Sequence, residues 1–175
     1  MTGKGDSQDF RVPDDFARQY LAHNAELRLA ANTVQTYDSH LTAFAHFLHD
    51  REKAVMTAEY TDVLEFVEAC VRCGNRASTI KGKLSTIREL YCYIKLRTDA
   101  GADLCLDPLR FQDIDVDSYR LPEPLEREAL SREEIRLLFD AFDSYRNRLM
   151  AVVAVETGLR NSDLRTLRIS DVDFA

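Results

Sequence analysis

The first group in this chain able to do chemistry is an arginine that follows an apolar run and a glycine. In Thr157-Gly158-Leu159-Arg160-Asn161-Ser162-Asp163-Leu164 the run Leu149 to Val155 ends at a glycine, and Arg160 stands just before a helix-start signal, Ser162-Asp163. Such a joint between two helices presents a guanidinium beside backbone N–H groups that have no partner within the helix, and an anion fits there. Arginine suits a phosphate better than lysine does, because its planar fork donates two parallel charge-assisted hydrogen bonds. Taken alone, Gly-Leu-Arg is also an ordinary helix C-cap with a solvated arginine, so the rest of the chain has to decide.

A second cationic element lies upstream. Between Arg72 and Arg97 the chain carries seven basic residues against one acid, Glu89, although its net charge is −7. One locally positive element therefore sits on an acidic body. Within it, Ile80, Leu84, Ile87, Tyr91 and Ile94 recur at spacings of three and four, which predicts a helix from about Ser78 to Leu96. Lys81, Arg88 and Lys95 repeat every seven residues along one edge of that stripe, Lys83 and Arg97 line the other, and Arg76 precedes it. Basic residues beside a core can simply snorkel, but ordinary solvated helices mix the two signs and this one does not. With Ser78, Gly82 and Ser85 on the outer face, the helix suits a DNA backbone.

The elements that must position these two groups are mainly helical. Val12-Pro13-Asp14-Asp15 opens a helix whose inner face is Phe16, Tyr20 and Leu21. Asn32-Thr33-Val34-Gln35 reads as a capping box, followed by the apolar stripe Val34, Tyr37, Leu41, Phe44 and Leu48. A third helix begins near Thr57, carries Val63, Phe66, Val67 and Cys70, and stops at Gly74. From Thr98 to Leu130 the period is lost, three of the four prolines fall there, and nine acids face three arginines, so the stretch reads as an acidic linker that avoids DNA. Ser131-Arg132-Glu133-Glu134 is a second capping box and starts a helix with Ile135, Leu138, Phe139 and Phe142 inside. Val172 to Phe174 is expected to begin a strand.

Composition sets the remaining bounds. At 175 residues with 45% hydrophobic and 30% charged, the chain is long enough for a real core. It shows no signal-peptide pattern and no long uncharged apolar stretch, which points to a cytoplasmic protein without a membrane span. Cys70-Val71-Arg72-Cys73 has zinc-like spacing but lies inside a helical pattern, and no second close pair completes four ligands. His23, His40, His46 and His49 read as structural or exposed. No metal and no cofactor are expected.

Thr157 to Leu164, continuing through Arg165-Thr-Leu-Arg-Ile-Ser-Asp-Val-Asp173, resembles the first arginine motif of the tyrosine recombinases, the phage-integrase group. Asn32-Thr-Val-x-x-Tyr37 and Ser78-Thr-Ile-Lys-Gly-Lys-Leu-Ser-Thr-Ile-Arg88 resemble that family's N-terminal core-binding domain, and Leu130-Ser-Arg-Glu-Glu-Ile135 resembles the entrance to its catalytic domain. The resemblance implies a mainly α fold. It comprises a flexible tail over 1–12, a four-helix SAM-like core-binding domain over 13–98, an acidic linker over 99–130, and the first helices of a mixed α/β catalytic domain, truncated, over 131–175. It implies that Arg160 holds a scissile phosphate with Asp163 in support. Arg76, Lys81, Lys83, Arg88 and Lys95 would contact double-stranded DNA, most of them positioning phosphates rather than reading bases.

The family's chemistry uses a tyrosine nucleophile with two arginines and a histidine or lysine, and no metal. No His-x-x-Arg occurs in these 175 residues, and all seven tyrosines precede Arg160. The chain is thus expected to bind DNA without strand exchange, as part of a machinery for site-specific recombination or integration. Two other readings stay open: a non-enzymatic DNA-binding regulator that competes for recombination sites, and a protein-interaction scaffold. Further expected partners are a full-length recombinase or other copies of the chain on DNA.

Overall fold

The computed structural model describes residues 10–119, 121–122 and 128–171, and divides the chain into two units, Met1–Pro124 and Leu125–Ala175. The strand expected at Val172–Phe174 lies outside the described residues. Every regular element among them is helical, and no helix is long and apolar enough to cross a membrane.

The first unit is built on four helices, α1 (Asp15–Glu26), α2 (Ala31–His49), α3 (Tyr60–Arg72) and α4 (Ala77–Arg97). Asp14 caps α1 by accepting from Ala17 N at 3.0 Å. Residues 10–12, read from sequence as part of a mobile tail, are instead docked. Arg11 N and Val12 N donate to the two oxygens of Asp38 at 3.1 Å each, and Val12 is fully buried. An Asp38 carboxylate buried among helices needs such donors, and the extended chain before Pro13 supplies them.

The capping box expected at Asn32 does not form. Helix α2 begins earlier, with the extended Ala30 as cap and its carbonyl accepting from Thr33 N at 2.8 Å. Asn32 is then inside the first turn and no longer at the cap position from which a side chain reaches the N–H groups ahead of it. Thr57 likewise belongs to a separate 3-10 turn before α3, and Glu59 N is satisfied by Asp62 Oδ2 at 2.7 Å. Gly74 ends α3 with φ 73°, a left-handed conformation that costs glycine nothing.

The stripe of α4 is the axis of the core, with Ile80, Ile87, Leu90, Tyr91 and Ile94 at 1% exposure or less. Phe44 and Phe66 meet edge to face, their centroids 5.2 Å apart. The buried Tyr91 hydroxyl donates to the Val55 carbonyl at 2.7 Å and so ties α4 to the α2–α3 connection.

The stretch 99–119 is not a free linker. Its 3-10 pieces Asp99–Asp103, Pro108–Asp113 and Val116–Ser118 fold back along α4, with Leu106, Phe111 and Val116 buried. Burying three such side chains is worth several kcal/mol at about 1.5–3 kcal/mol each, which outweighs the lack of regular helix. Arg110 adds a cation–π contact, lying 4.2 Å over the Tyr60 ring.

The second unit holds α5 (Arg132–Asp140), α6 (Tyr145–Thr157) and α7 (Asn161–Thr166). The Ser131–Glu134 capping box is present in both directions, Ser131 N to Glu134 Oε2 at 2.8 Å and Glu134 N to Ser131 Oγ at 3.2 Å. None of these three helices has a buried residue, and of the expected inner face of α5 Leu138 is 40% exposed.

Candidate nucleic-acid interface

Helix α4 places its cations by period. Seven residues are nearly two turns, so Lys81, Arg88 and Lys95 follow one another at about 10 Å intervals along one edge. All three are exposed. The edge is not open, however. Lys81 Nζ is ion-paired with Asp117 Oδ2 at 2.7 Å, and Lys95 Nζ with Asp107 Oδ1 at 3.2 Å. Asp107 also accepts from Leu109 N, and that bond with the Lys95 ammonium holds its carboxyl below the usual carboxylate range. Between the two pairs, Arg88 has no ion pair among the described residues and borders a groove of about 220 Å³ with Lys81, Leu84, Ser85, Phe111, Ile114 and Val116.

The expectation that Lys81 and Lys95 stand on an unobstructed cationic face is corrected by these pairs. The acidic stretch runs along the helix rather than away from it. A readable signal existed: Ile114 and Val116 alternate with Asp113, Asp115 and Asp117, so one side of the segment is apolar and can dock.

The other candidates lie toward the start of α4. Arg76 is its cap residue and is exposed. Lys83 is half-buried, its Nζ 3.7 Å from Cys70 Sγ and 5.8 Å from the Phe66 ring centroid. Burial raises the Cys70 thiol pKa despite that ammonium, so the sulfur stays protonated. Gly82 does not face outward as expected: a Cβ built there would lie 3.5 Å from His40 Cε1 of α2. His40, read from sequence as structural or exposed, and Thr86, not singled out there, form the polar contact of that interface.

In the second unit, Gly158 closes α6 with φ 66°, and Arg160 is the cap residue of α7, two positions earlier than the Ser162-Asp163 signal suggested. Its carbonyl accepts from Asp163 N and Leu164 N at 3.0 and 2.9 Å, and its side chain is exposed without an ion pair among the described residues. Asp163 is not on the guanidinium; its Oδ1 accepts from Ser162 Oγ at 3.2 Å.

Three of the seven tyrosines have raised phenol pKa values. Tyr20 donates to Glu89 at 2.9 Å and Tyr91 to Val55, and burial raises both phenols above their ordinary range. Tyr37 is raised by burial and by Glu89. A phenol held protonated in this way is a poor nucleophile. Tyr145 is the contrast, 81% exposed at the start of α6.

Comparison with known proteins bears on the same stretch. Residues 17–98 match the family model of the phage integrase N-terminal SAM-like domain. Among curated proteins, a tyrosine recombinase XerD of Yersinia pestis is 29% identical over 157 residues, covering 85% of this chain and 48% of the relative. A tyrosine recombinase XerC of Roseiflexus castenholzii is 27% identical over 157 residues, 89% of this chain and 49% of the relative. A tyrosine recombinase XerD of Oceanobacillus iheyensis is 26% identical over 149 residues, 84% and 48%. The chain thus spans about half the length of the curated relatives it matches. No solved structure gave a significant match. With a helical core domain aligned to the family model over residues 17–98 and relatives that extend past it over most of the sequence, the chain is similar to the tyrosine recombinases.

Proposed function

We propose that the first unit binds the phosphate backbone of duplex DNA through α4, with Arg76, Lys83 and Arg88 as its available cations and Lys81 and Lys95 held in reserve. The observation that carries this reading is the one-sided charge of α4, on which Arg76, Lys83 and Arg88 have no ion pair among the described residues. The chain's similarity to tyrosine recombinases supports a role in site-specific DNA recombination. Counterion release gives the test: log K for a short duplex should fall with log salt at about −0.9 per phosphate neutralised. Replacing Arg76, Lys83 and Arg88 by Ala should flatten that slope by about 0.9 for each phosphate no longer neutralised. An unchanged slope would remove α4 from the interface.

The second unit contributes a phosphate clamp at Arg160, with Asp163 supporting the turn that presents it. These 175 residues bind DNA without exchanging strands. One well-placed donor is worth about 3–4 kcal/mol, against the roughly 8–23 kcal/mol by which enzymes lower barriers. A covalent adduct with a nicked suicide duplex, lost in Tyr145→Phe or another Tyr→Phe variant, would defeat this. A second reading, a protein-interaction surface, is favoured by the absence of any buried residue in α5, α6 and α7, where Leu149 is 50% exposed. A stoichiometric protein complex with no dependence on DNA would support it.

A further inference from the structure

We propose that the acidic segment Asp99–Ser118 is an internal competitor for the DNA backbone. Its carboxylates Asp117 and Asp107 occupy Lys81 and Lys95, the two ends of the basic edge of α4, and must hand them over before that edge engages phosphate. The inference rests on the reading that α4 binds DNA.

The register of the two pairs shows how the segment does this. It runs antiparallel to α4, with Asp107 at Lys95 and Asp117 at Lys81. The fourteen helical residues from Lys81 to Lys95 rise about 21 Å. The ten residues from Asp107 to Asp117 cover that span at about 2 Å each, close to the rise of a 3-10 helix. Pro108–Asp113 and Val116–Ser118 have that conformation. The conformation of the segment therefore sets its carboxylates opposite the lysines.

Two kinds of tie hold the segment, and they differ in strength. Phe111, Leu106 and Val116 are buried, Phe111 with its centroid 6.2 Å from that of Tyr91, so the segment stays docked. The ion pairs are different: Lys81 and Asp117 are 52% and 67% exposed, Lys95 and Asp107 47% and 46%. Half-exposed pairs are weak and screened by salt. A phosphate can displace each carboxylate while the apolar anchors remain in place. Arg88, between the pairs and unpaired among the described residues, is where a phosphate engages first.

The test is duplex binding by fluorescence anisotropy at low salt, using the whole 175-residue chain. Asp107→Asn with Asp117→Asn keeps side-chain shape and the cap on Leu109 N; thermal unfolding checks that the fold is retained. Affinity should rise about three- to tenfold, since two weak competitors are removed. The gain should vanish when Lys81→Ala and Lys95→Ala are added. Asp103→Asn with Asp113→Asn removes the same charge from exposed carboxylates that have no lysine partner among the described residues, and should gain less. No gain, an equal gain from this control pair, or a gain that survives removal of the two lysines would overturn the inference while leaving DNA binding intact. Absence of duplex binding by every variant would overturn the DNA reading and the inference with it.

Discussion

His40 Nδ1 lies 3.0 Å from Thr86 Oγ1 across the α2–α4 interface, and the Thr86 hydroxyl itself donates to the Gly82 carbonyl at 3.0 Å. With its proton spent on Gly82, Oγ1 accepts, so His40 carries its proton on Nδ1. A second proton would go to Nε2, in a half-buried site that also feels the Lys83 ammonium. Burial first, and Lys83 second, hold this histidine below its ordinary 6.5.

Lys83→Met should therefore raise the His40 pKa toward 6.5, read from its ring-proton NMR titration. The sign for stability follows from proton counting. The folded state binds fewer protons than the unfolded one, so this contribution is intact above about 6.5 and is lost as pH falls below that value and through the lower folded pKa. A His40 titration identical in the variant would mean that burial alone sets the shift.

A second pH dependence sits at Asp62, which accepts from Lys53 Nζ at 2.9 and 2.8 Å and from Glu59 N at 2.7 Å. Burial raises its pKa, but the Lys53 hydrogen bond and the Glu59 N–H outweigh that, and the net shift is below 3.8. A lowered carboxylate stabilises the fold above its unfolded value and loses that contribution as pH drops below about 4. Lys53→Met leaves burial less opposed and should move the acid unfolding midpoint, followed by circular dichroism, to higher pH. An acid limb superimposable on that of the parent chain would show the pair to be energetically silent.

Phe111 separates a docked segment from a linker. It is 7% exposed and packs toward Tyr91. Phe111→Ala should cost roughly 3 kcal/mol and open Asp99–Ser118 to limited proteolysis before α1–α4 are cut. A variant as stable and as resistant as the parent would mean that the segment is held by its ion pairs alone.

That segment also marks the limit of what could be read from sequence. The stripe Ile80, Leu84, Ile87, Tyr91 and Ile94 is legible because many turns repeat one period, and Ser131–Glu134 because a capping box is local in sequence. The 3-10 pieces between 99 and 118 are three to six residues long, too short to repeat a helical period, and only the alternation of Ile114 and Val116 with Asp113, Asp115 and Asp117 marks an apolar side. Their ion pairs join residues 36 and 12 apart, Lys81 to Asp117 and Lys95 to Asp107, and no window along the chain contains such a relation as a pattern. The misplaced start of α2 has another cause. The helix starts at Ala31, so the favourable cap residue Asn32 falls inside it rather than at the cap position. At Arg160 the residue types and their order were readable, but the distance from Asp163 to the guanidinium depends on side-chain rotamers.

The two units should differ in how fast their amides exchange. Protection follows burial and the packing that must open before an N–H meets water. In α4, seven residues are buried, whereas α5, α6 and α7 have none, and Leu137, Leu149 and Val155 are 69%, 50% and 43% exposed. Helices of six to thirteen residues are marginal in water without tertiary support. Native-state hydrogen exchange should therefore show α5–α7 exchanging through local openings far faster than α4, even at residues with good helical hydrogen bonds. Adding duplex DNA should slow exchange around Arg160 if its guanidinium takes a phosphate, since binding stabilises only the folded turn. Protection equal to that of α4 in the free chain would mean that α5–α7 are covered in solution, by a second copy or by another surface.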